Sequence, residues 1–312
     1  MTERFRGSYT VSVSPFIEDG AHVDIPALEG FIDWQLDVGV PGIIALGSTG
    51  EFLAISELER DLIVTTYVER INGRIPVLIG TMNAHTPNAV KNSMKAEDMG
   101  ADGLMILPPY YYTPTDDEVM RYYEAIDDVV SIPVMLYNNP VTSNIDMSAK
   151  LVGRLAKTFE SVQYIKESSQ ELGRVTDVIE EVDGHLEVYA GERVVDSCIL
   201  GAIGYVNPYG NYIPVPSYRI FDLVAEGRID EARQVQRLID RIDHIIAAGH
   251  PTYGHQCYSK ALAAAVGHPV GDVREPLTTF SQLGQEGRDR VGRILPIIEE
   301  VEALVASMTF SE

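Results

Sequence analysis

Ser161-Val162-Gln163-Tyr164-Ile165-Lys166 is a short run rich in β-branched and aromatic residues, and it ends on a single amine. Such composition reads as a buried strand. About thirty residues earlier, Ile132-Pro133-Val134-Met135-Leu136-Tyr137 is a second apolar run, and it ends on a phenol. Taken alone, a lysine after an apolar strand is most often the first solvated residue of a loop, and a strand-end tyrosine is often core with its hydroxyl reaching water. The rest of the chain decides between those readings.

Outward from this pair the chain alternates between short apolar runs and longer amphipathic ones. Strands are expected at Ser8–Phe16, Gly42–Leu46, Pro76–Gly80, Gly103–Leu107, Pro133–Tyr137, Val162–Lys166, Leu186–Ala190 and Ala202–Val206. Helices are expected at Ile25–Val38, Ser56–Ile71, Thr86–Met99, Thr115–Val129, Ser148–Thr158, Leu172–Val182, Arg193–Leu200 and Val215–Glu226. Ser56 with Glu59 three residues on has the form of a capping box, and Thr86-Pro87 and Thr115-Asp116 read as helix starts. Repeated strand–helix pairs predict an α/β protein, a (β/α)8 TIM barrel, over residues 1–226. Residues 227–312 carry no strong strand signal. Ile229–Ala248, Gly254–Val266 and Leu283–Ala306 read as a C-terminal helical extension packed on that barrel. No Gly-x-Gly-x-x-Gly follows the first strand, which weakens a dinucleotide-binding alternative.

Composition excludes several classes. A formal charge of −22 over 312 residues argues against nucleic acid and against an anionic membrane surface. An apolar content of 45% allows a sizeable core. Two cysteines, Cys198 and Cys257, give neither a CxxC pair nor a disulfide framework, and a reducing cytoplasm fits them. The N-terminus, Met1 to Thr10, lacks the apolar centre of a signal peptide. The histidines, His250 and His255 among them, show no ligand spacing, so no metal and no cofactor are expected.

Barrel enzymes carry their chemistry where strands end. An amine there loses part of its hydration, and desolvation favours the neutral, nucleophilic form. If their two strands are neighbours, Lys166 and Tyr137 meet at one mouth, equipped to form a Schiff base and move its protons. Gly47-Ser48-Thr49-Gly50-Glu51 follows the second expected strand. Its glycines permit close approach of backbone to ligand, and its hydroxyls and N–H groups suit a carboxylate. Read blandly, it is an ordinary turn whose hydroxyls bond the backbone. Pro108-Pro109-Tyr110-Tyr111-Tyr112 is a stiff aromatic loop suited to packing at an interface. Pro140 restricts Asn139 to extended geometry and so fixes the loop beyond Tyr137.

Together, Gly47–Glu51, Tyr137-Asn138-Asn139-Pro140 and Ile165-Lys166-Glu167 make the chain resemble the dihydrodipicolinate synthase / N-acetylneuraminate lyase family of class I Schiff-base lyases. The resemblance runs over nearly the whole chain. It implies that Lys166 forms an imine with the keto carbon of pyruvate or a longer 2-oxo acid, and that Tyr137 relays protons. It implies that Ser48, Thr49 and Gly50 hold the carboxylate, with Thr49 also among the catalytic residues. Tyr111 matches the family tyrosine that reaches a neighbouring subunit's site and joins the relay. Gly191 and Val206 match pocket-lining positions, and the family implies a homotetramer built as a dimer of dimers.

One departure stands out. Family members that make dihydrodipicolinate read Tyr-Asn-x-Pro-x-Arg-Thr after the tyrosine, and the arginine binds the second substrate's carboxylate. Thr142 stands in its place here. The serine at position 48 also resembles the sugar-acid lyases of the family. The expectation is a lyase or aldolase working at pyruvate in a 2-oxo acid, such as a 2-oxo-3-deoxy sugar acid, with Asn139 and Thr142 among the residues that select the substrate. A dehydratase or deaminase on the same imine, a dihydrodipicolinate synthase, and a non-catalytic 2-oxo-acid-binding barrel stay open as alternatives.

Overall fold

The computed structural model describes residues 5–17, 20–248 and 254–310. In chain order the strands are β1 (Gly7–Val11), β2 (Phe16–Ile17), β3 (His22–Val23), β4 (Gly42–Ala45), β5 (Val77–Gly80), β6 (Gly103–Ile106), β7 (Val134–Asn138), β8 (Val162–Glu167), β9 (Glu187–Ala190) and β10 (Gly204–Asn207). The helices are α1 (Ile25–Asp37), α2 (Glu57–Ile71), α3 (Thr86–Asp98), α4 (Asp116–Asp127), α5 (Pro140–Ser143), α6 (Ala149–Thr158), α7 (Gly173–Val182), α8 (Val194–Ile199), α9 (Pro214–Ala225), α10 (Ile229–Ala247), α11 (His255–Ala265) and α12 (Phe280–Ala306). Among the described residues, eight parallel strands close into a barrel in the order β1-β10-β9-β8-β7-β6-β5-β4. This is the (β/α)8 TIM barrel with a C-terminal helical region.

The chain forms two compact units. One comprises residues 1–7 and 76–206 and holds β5 to β9 and most of β10. Its strands are buried on both faces, and Leu104, Met105, Val134, Met135, Leu136 and Ile165 are wholly inaccessible. That explains why they read as continuous apolar runs. The register pairs Leu136 with Ile165, Tyr137 with Lys166 and Asn138 with Glu167. Lys166 is paired in turn with Tyr189, and Glu167 with Ala190. Thr115 and Glu118 form a reciprocal capping box that starts α4.

The second unit comprises residues 8–75 and 207–312. Its strands β1 and β4 pair in parallel, Tyr9 against Gly42 and Val11 against Ile44. A side chain at Gly42 would begin 2.2 Å from the Tyr9 ring, so only glycine lets that ring lie across the strand. Asn211 ties the end of β1 in place, donating to the Val11 carbonyl at 2.9 Å and accepting from the Val13 N–H at 3.0 Å. Ser56 and Glu59 form the expected capping box on α2.

Two expected elements end differently. The expected strand Ser8–Phe16 stops at Val11, where the Asn211 side chain takes the Val11 carbonyl and the Val13 N–H in place of a neighbouring strand, and Pro15 has no N–H with which to resume a ladder. Phe16–Ile17 then pairs antiparallel with His22–Val23 in a small hairpin. The last helix begins at Phe280, earlier than expected, because Thr279 and Gln282 form a capping box; Gly284 kinks it with a non-helical φ of 58°. Among the described residues, no helix is long and apolar enough to cross a membrane. His250 and the first four residues lie outside the described residues, whereas His255 opens α11.

Candidate active site

Lys166 and Tyr137 occupy neighbouring strands at one level of the register. Both are buried, at 8% and 4% exposure. The Lys166 Nζ lies 4.2 Å from the centroid of the Tyr137 ring. Asn139 donates its amide N–H to the Tyr137 hydroxyl at 2.8 Å. That bond leaves the phenol's own proton available to another acceptor. Asn139 thus sets the direction of the hydroxyl, a contact the strand pattern alone does not show.

Strand alternation turns the next pair, Asn138 and Glu167, to the opposite face. There the Asn138 amide donates to Glu167 Oε2 at 3.0 Å, while its oxygen accepts the Met147 N–H at 3.0 Å. The Ser169 N–H donates to Glu167 Oε1 at 2.7 Å. Burial raises the Glu167 carboxyl above its ordinary range, against the pull of its hydrogen bonds from Ser169 and Asn138. Asp146 and Arg174 extend the network. The guanidinium makes two bonds to the Asp146 carboxylate at 2.7 and 2.8 Å, and reaches the Met147 carbonyl at 2.9 Å and Glu171 at 3.0 Å. This polar layer locks the ends of β7 and β8 together from behind the amine and the phenol.

Gly191 follows β9 and donates its N–H to the Glu167 carbonyl at 2.8 Å. A Cβ there would meet Ser168 Oγ at 1.8 Å, so the close approach requires glycine. Glu192, which follows it, was not singled out from sequence. Burial raises its carboxyl above the ordinary range, while the Lys166 charge and a hydrogen bond from Gln170 oppose that. Glu192 and Glu167 line one cavity with Gln170 and Ser197. The only sequence signal for Glu192 was its place after a strand-end glycine. Val206 lies wholly buried in β10.

Thr142 sits exposed on α5, its hydroxyl donating to the Asn139 carbonyl at 3.3 Å. Tyr111 is 80% exposed, has a left-handed φ of 78°, and packs edge-on against Tyr112 with ring centroids 5.3 Å apart. The Asn144 amide donates to the Tyr111 carbonyl at 3.5 Å.

In the other unit, Gly47–Glu51 follows β4 as a closed turn. The Glu51 N–H donates to the Ser48 carbonyl at 3.1 Å, and the Phe52 N–H to the Gly47 carbonyl at 3.4 Å. Thr49 and Gly50 are buried and Ser48 is half-buried. A Cβ on Gly50 would stand 2.9 Å from the Ser12 carbonyl oxygen.

Comparison with known proteins places these features in context. The Dihydrodipicolinate synthetase family matches residues 4–296. The 4-hydroxy-tetrahydrodipicolinate synthase of Pelobacter propionicus is 34% identical over 233 residues, which is 74% of this chain and 79% of that protein. Among solved structures, the 4-hydroxy-tetrahydrodipicolinate synthase of Methylacidiphilum fumariolicum SolV superimposes with a TM-score of 0.89 at 27% identity, covering 97% of this chain and 99% of that one. A prophage protein of the dihydrodipicolinic acid synthase family from E. coli K12, solved in complex with pyruvate, gives 0.87 at 26% identity, covering 96% and 99%.

Proposed function

We propose a function from one premise: the chain belongs to the Dihydrodipicolinate synthetase family, a family of class I Schiff-base lyases and aldolases. In our reading Lys166 is the imine-forming amine and Tyr137 its proton relay. The observation that carries this is the 4.2 Å approach of the Lys166 Nζ to the Tyr137 ring, with Asn139 holding the hydroxyl. The neutral amine adds to the keto carbon of a 2-oxo acid, and water leaves as the imine forms. The protonated imine is an electron sink. Tyr137 gives its proton to the hydroxide that departs as that water; when the bond beyond the neighbouring carbon breaks, its electron pair moves into an enamine, and the Tyr137 phenolate takes the proton from the hydroxyl that becomes the aldehyde. Ser48, Thr49 and Gly50 are assigned to the substrate carboxylate, and Gly191 and Val206 to the pyruvate pocket, on the family resemblance. Tyr111 is assigned to a neighbouring copy's relay, in a homotetramer.

The substrate we favour is a 2-oxo-3-deoxy sugar acid cleaved to pyruvate and an aldehyde. Thr142 supports this, because a neutral hydroxyl does not replace a guanidinium that binds a second carboxylate. Arg174 is the candidate substitute, and its guanidinium is engaged by Asp146 and Glu171. A condensing 4-hydroxy-tetrahydrodipicolinate synthase is the second reading, favoured by the names of the relatives. A screen of 2-oxo-3-deoxy sugar acids for pyruvate release, run beside an assay for water loss, tests the choice. Pyruvate release supports the aldolase; water loss without pyruvate replaces it with a dehydratase on the same imine.

A further inference from the structure

The turn Gly47–Glu51 is bracketed by two left-handed residues, Leu46 with φ 58° and Glu51 with φ 55°. Neither is glycine, so both hold a conformation that persists only where the surroundings dictate it. The surroundings do so through a buried ion pair. Glu51 Oε1 lies 2.6 Å from Lys260 Nζ, and both side chains are 1% exposed. The Arg274 N–H donates to the other Glu51 oxygen at 2.8 Å. Lys260 also donates to the Asp272 carbonyl at 2.9 Å and stands 4.0 Å above the Phe16 ring. Burial lowers the lysine's affinity for its proton, and the Glu51 charge restores part of it. The turn is gripped at two further points. Ser14 donates to the Gly50 carbonyl at 2.8 Å, and the Gln256 amide to the Ser48 carbonyl at 3.3 Å.

A buried ion pair is a poor source of net stability, because desolvation offsets its attraction. It is a good source of fixed geometry when both ions are held by further directional contacts, as Glu51 is by the Arg274 N–H and Lys260 by the Asp272 carbonyl. We propose that the Glu51–Lys260 pair is a positioning device for the Ser48-Thr49-Gly50 turn, setting the aim of its hydroxyls and N–H groups at the carboxylate of a 2-oxo acid. This rests on the carboxylate assignment given above. Neither residue touches substrate in this scheme; both act through the turn.

The test measures pyruvate-dependent borohydride trapping, steady-state KM and kcat, and melting temperature in Glu51→Gln, Lys260→Met and the double variant, beside Ser48→Ala and Thr49→Ala. Glu51→Gln keeps an amide oxygen that accepts from Lys260 Nζ or from the Arg274 N–H, and burial favours the neutral amine once the Glu51 charge is gone; the double variant leaves no lone buried charge, so these two are the variants expected to fold. In them the half-saturating pyruvate concentration should rise by roughly ten- to a hundredfold, the loss expected of misplaced binding groups. Trapping at saturating pyruvate should stay complete, with kcat changed far less than KM. Lys260→Arg should recover part of the loss. A lowered melting temperature with unchanged half-saturation would make the pair merely structural and overturn the proposal. Loss of trapping at saturation would also overturn it, by moving the effect to the amine. If Ser48→Ala and Thr49→Ala leave half-saturation unchanged as well, the carboxylate assignment itself fails; if they raise it and the Glu51 variants do not, only the positioning role fails.

Discussion

Lys166 stands over the face of Tyr137, 4.2 Å from the ring centroid, and the same two residues are register partners in adjacent strands. A strand pair fixes their separation more rigidly than loops would. Borohydride reduction in the presence of pyruvate should therefore add a reduced adduct to one peptide, the one containing Lys166. Labelling should vanish in Lys166→Ala. Full labelling of that variant would remove Lys166 from the chemistry.

Tyr137→Phe separates imine formation from proton transfer. The ring and its packing remain, while the hydroxyl held by Asn139 is lost. Turnover should fall by roughly 10²–10⁴-fold, the usual cost of removing a positioned acid–base group, with the pyruvate adduct still detectable by mass. Asn139→Ala should reduce turnover less, since it only frees the hydroxyl to rotate. An unchanged rate in Tyr137→Phe rules it out as the relay.

The barrel was legible because each strand is short, β-branched and closed by a helix start such as Ser56 or Thr115. Lys166 and Tyr137 were legible because a polar group at the end of an apolar strand has few bland roles once the barrel is granted. The layer behind them was not. Asn138, Glu167, Asp146 and Arg174 look like ordinary loop and helix polars until the register puts Asn138 beside Glu167 and α7 brings Arg174 to Asp146. The Glu51–Lys260 pair spans 209 positions, and no local pattern marks a lysine on α11 as buried. The hairpin at Phe16 was hidden for another reason. Its strands are two residues each, too short for any period to show.

Acid stability should depend on Glu59. Its hydrogen bonds to Arg274, helped by those from Ser56, lower its pKa from 4.5 to about 2, against the effect of partial burial. The unfolded chain then binds more protons than the folded one between those values, so stability rises with pH through that window. The contribution is complete above about 4.5 and is lost as pH falls through about 2. Glu59→Gln keeps the α2 cap but loses the charge. Because the pair is partly solvated, its cost at neutral pH is on the order of 1–2 kcal/mol after screening. Urea unfolding at pH 7 and pH 3 should show that deficit narrowing to less than half at the lower pH. An equal deficit at both would refute the linkage.

Condensation of pyruvate with aspartate semialdehyde should be slow in this protein. That reaction presents a second carboxylate to the loop after Tyr137, where the chain carries Thr142 on α5. The Thr142 hydroxyl is exposed and already donates to the Asn139 carbonyl at 3.3 Å. Arg174, on α7, is only 12% exposed and is bound in two-toothed fashion by Asp146. Turning it toward a substrate would strand the Asp146 carboxylate, whose own pKa that guanidinium lowers. A carboxylate without its charged partner forgoes roughly 1.5–3 kcal/mol. That is on the order of a tenfold to hundredfold loss in binding. The measurement is condensation against cleavage of 2-oxo-3-deoxy sugar acids by one preparation. Thr142→Arg is expected to raise condensation and depress cleavage. Efficient condensation by the unaltered chain, with no sugar-acid cleavage, would overturn both this prediction and the favoured substrate, while leaving the imine at Lys166 in place.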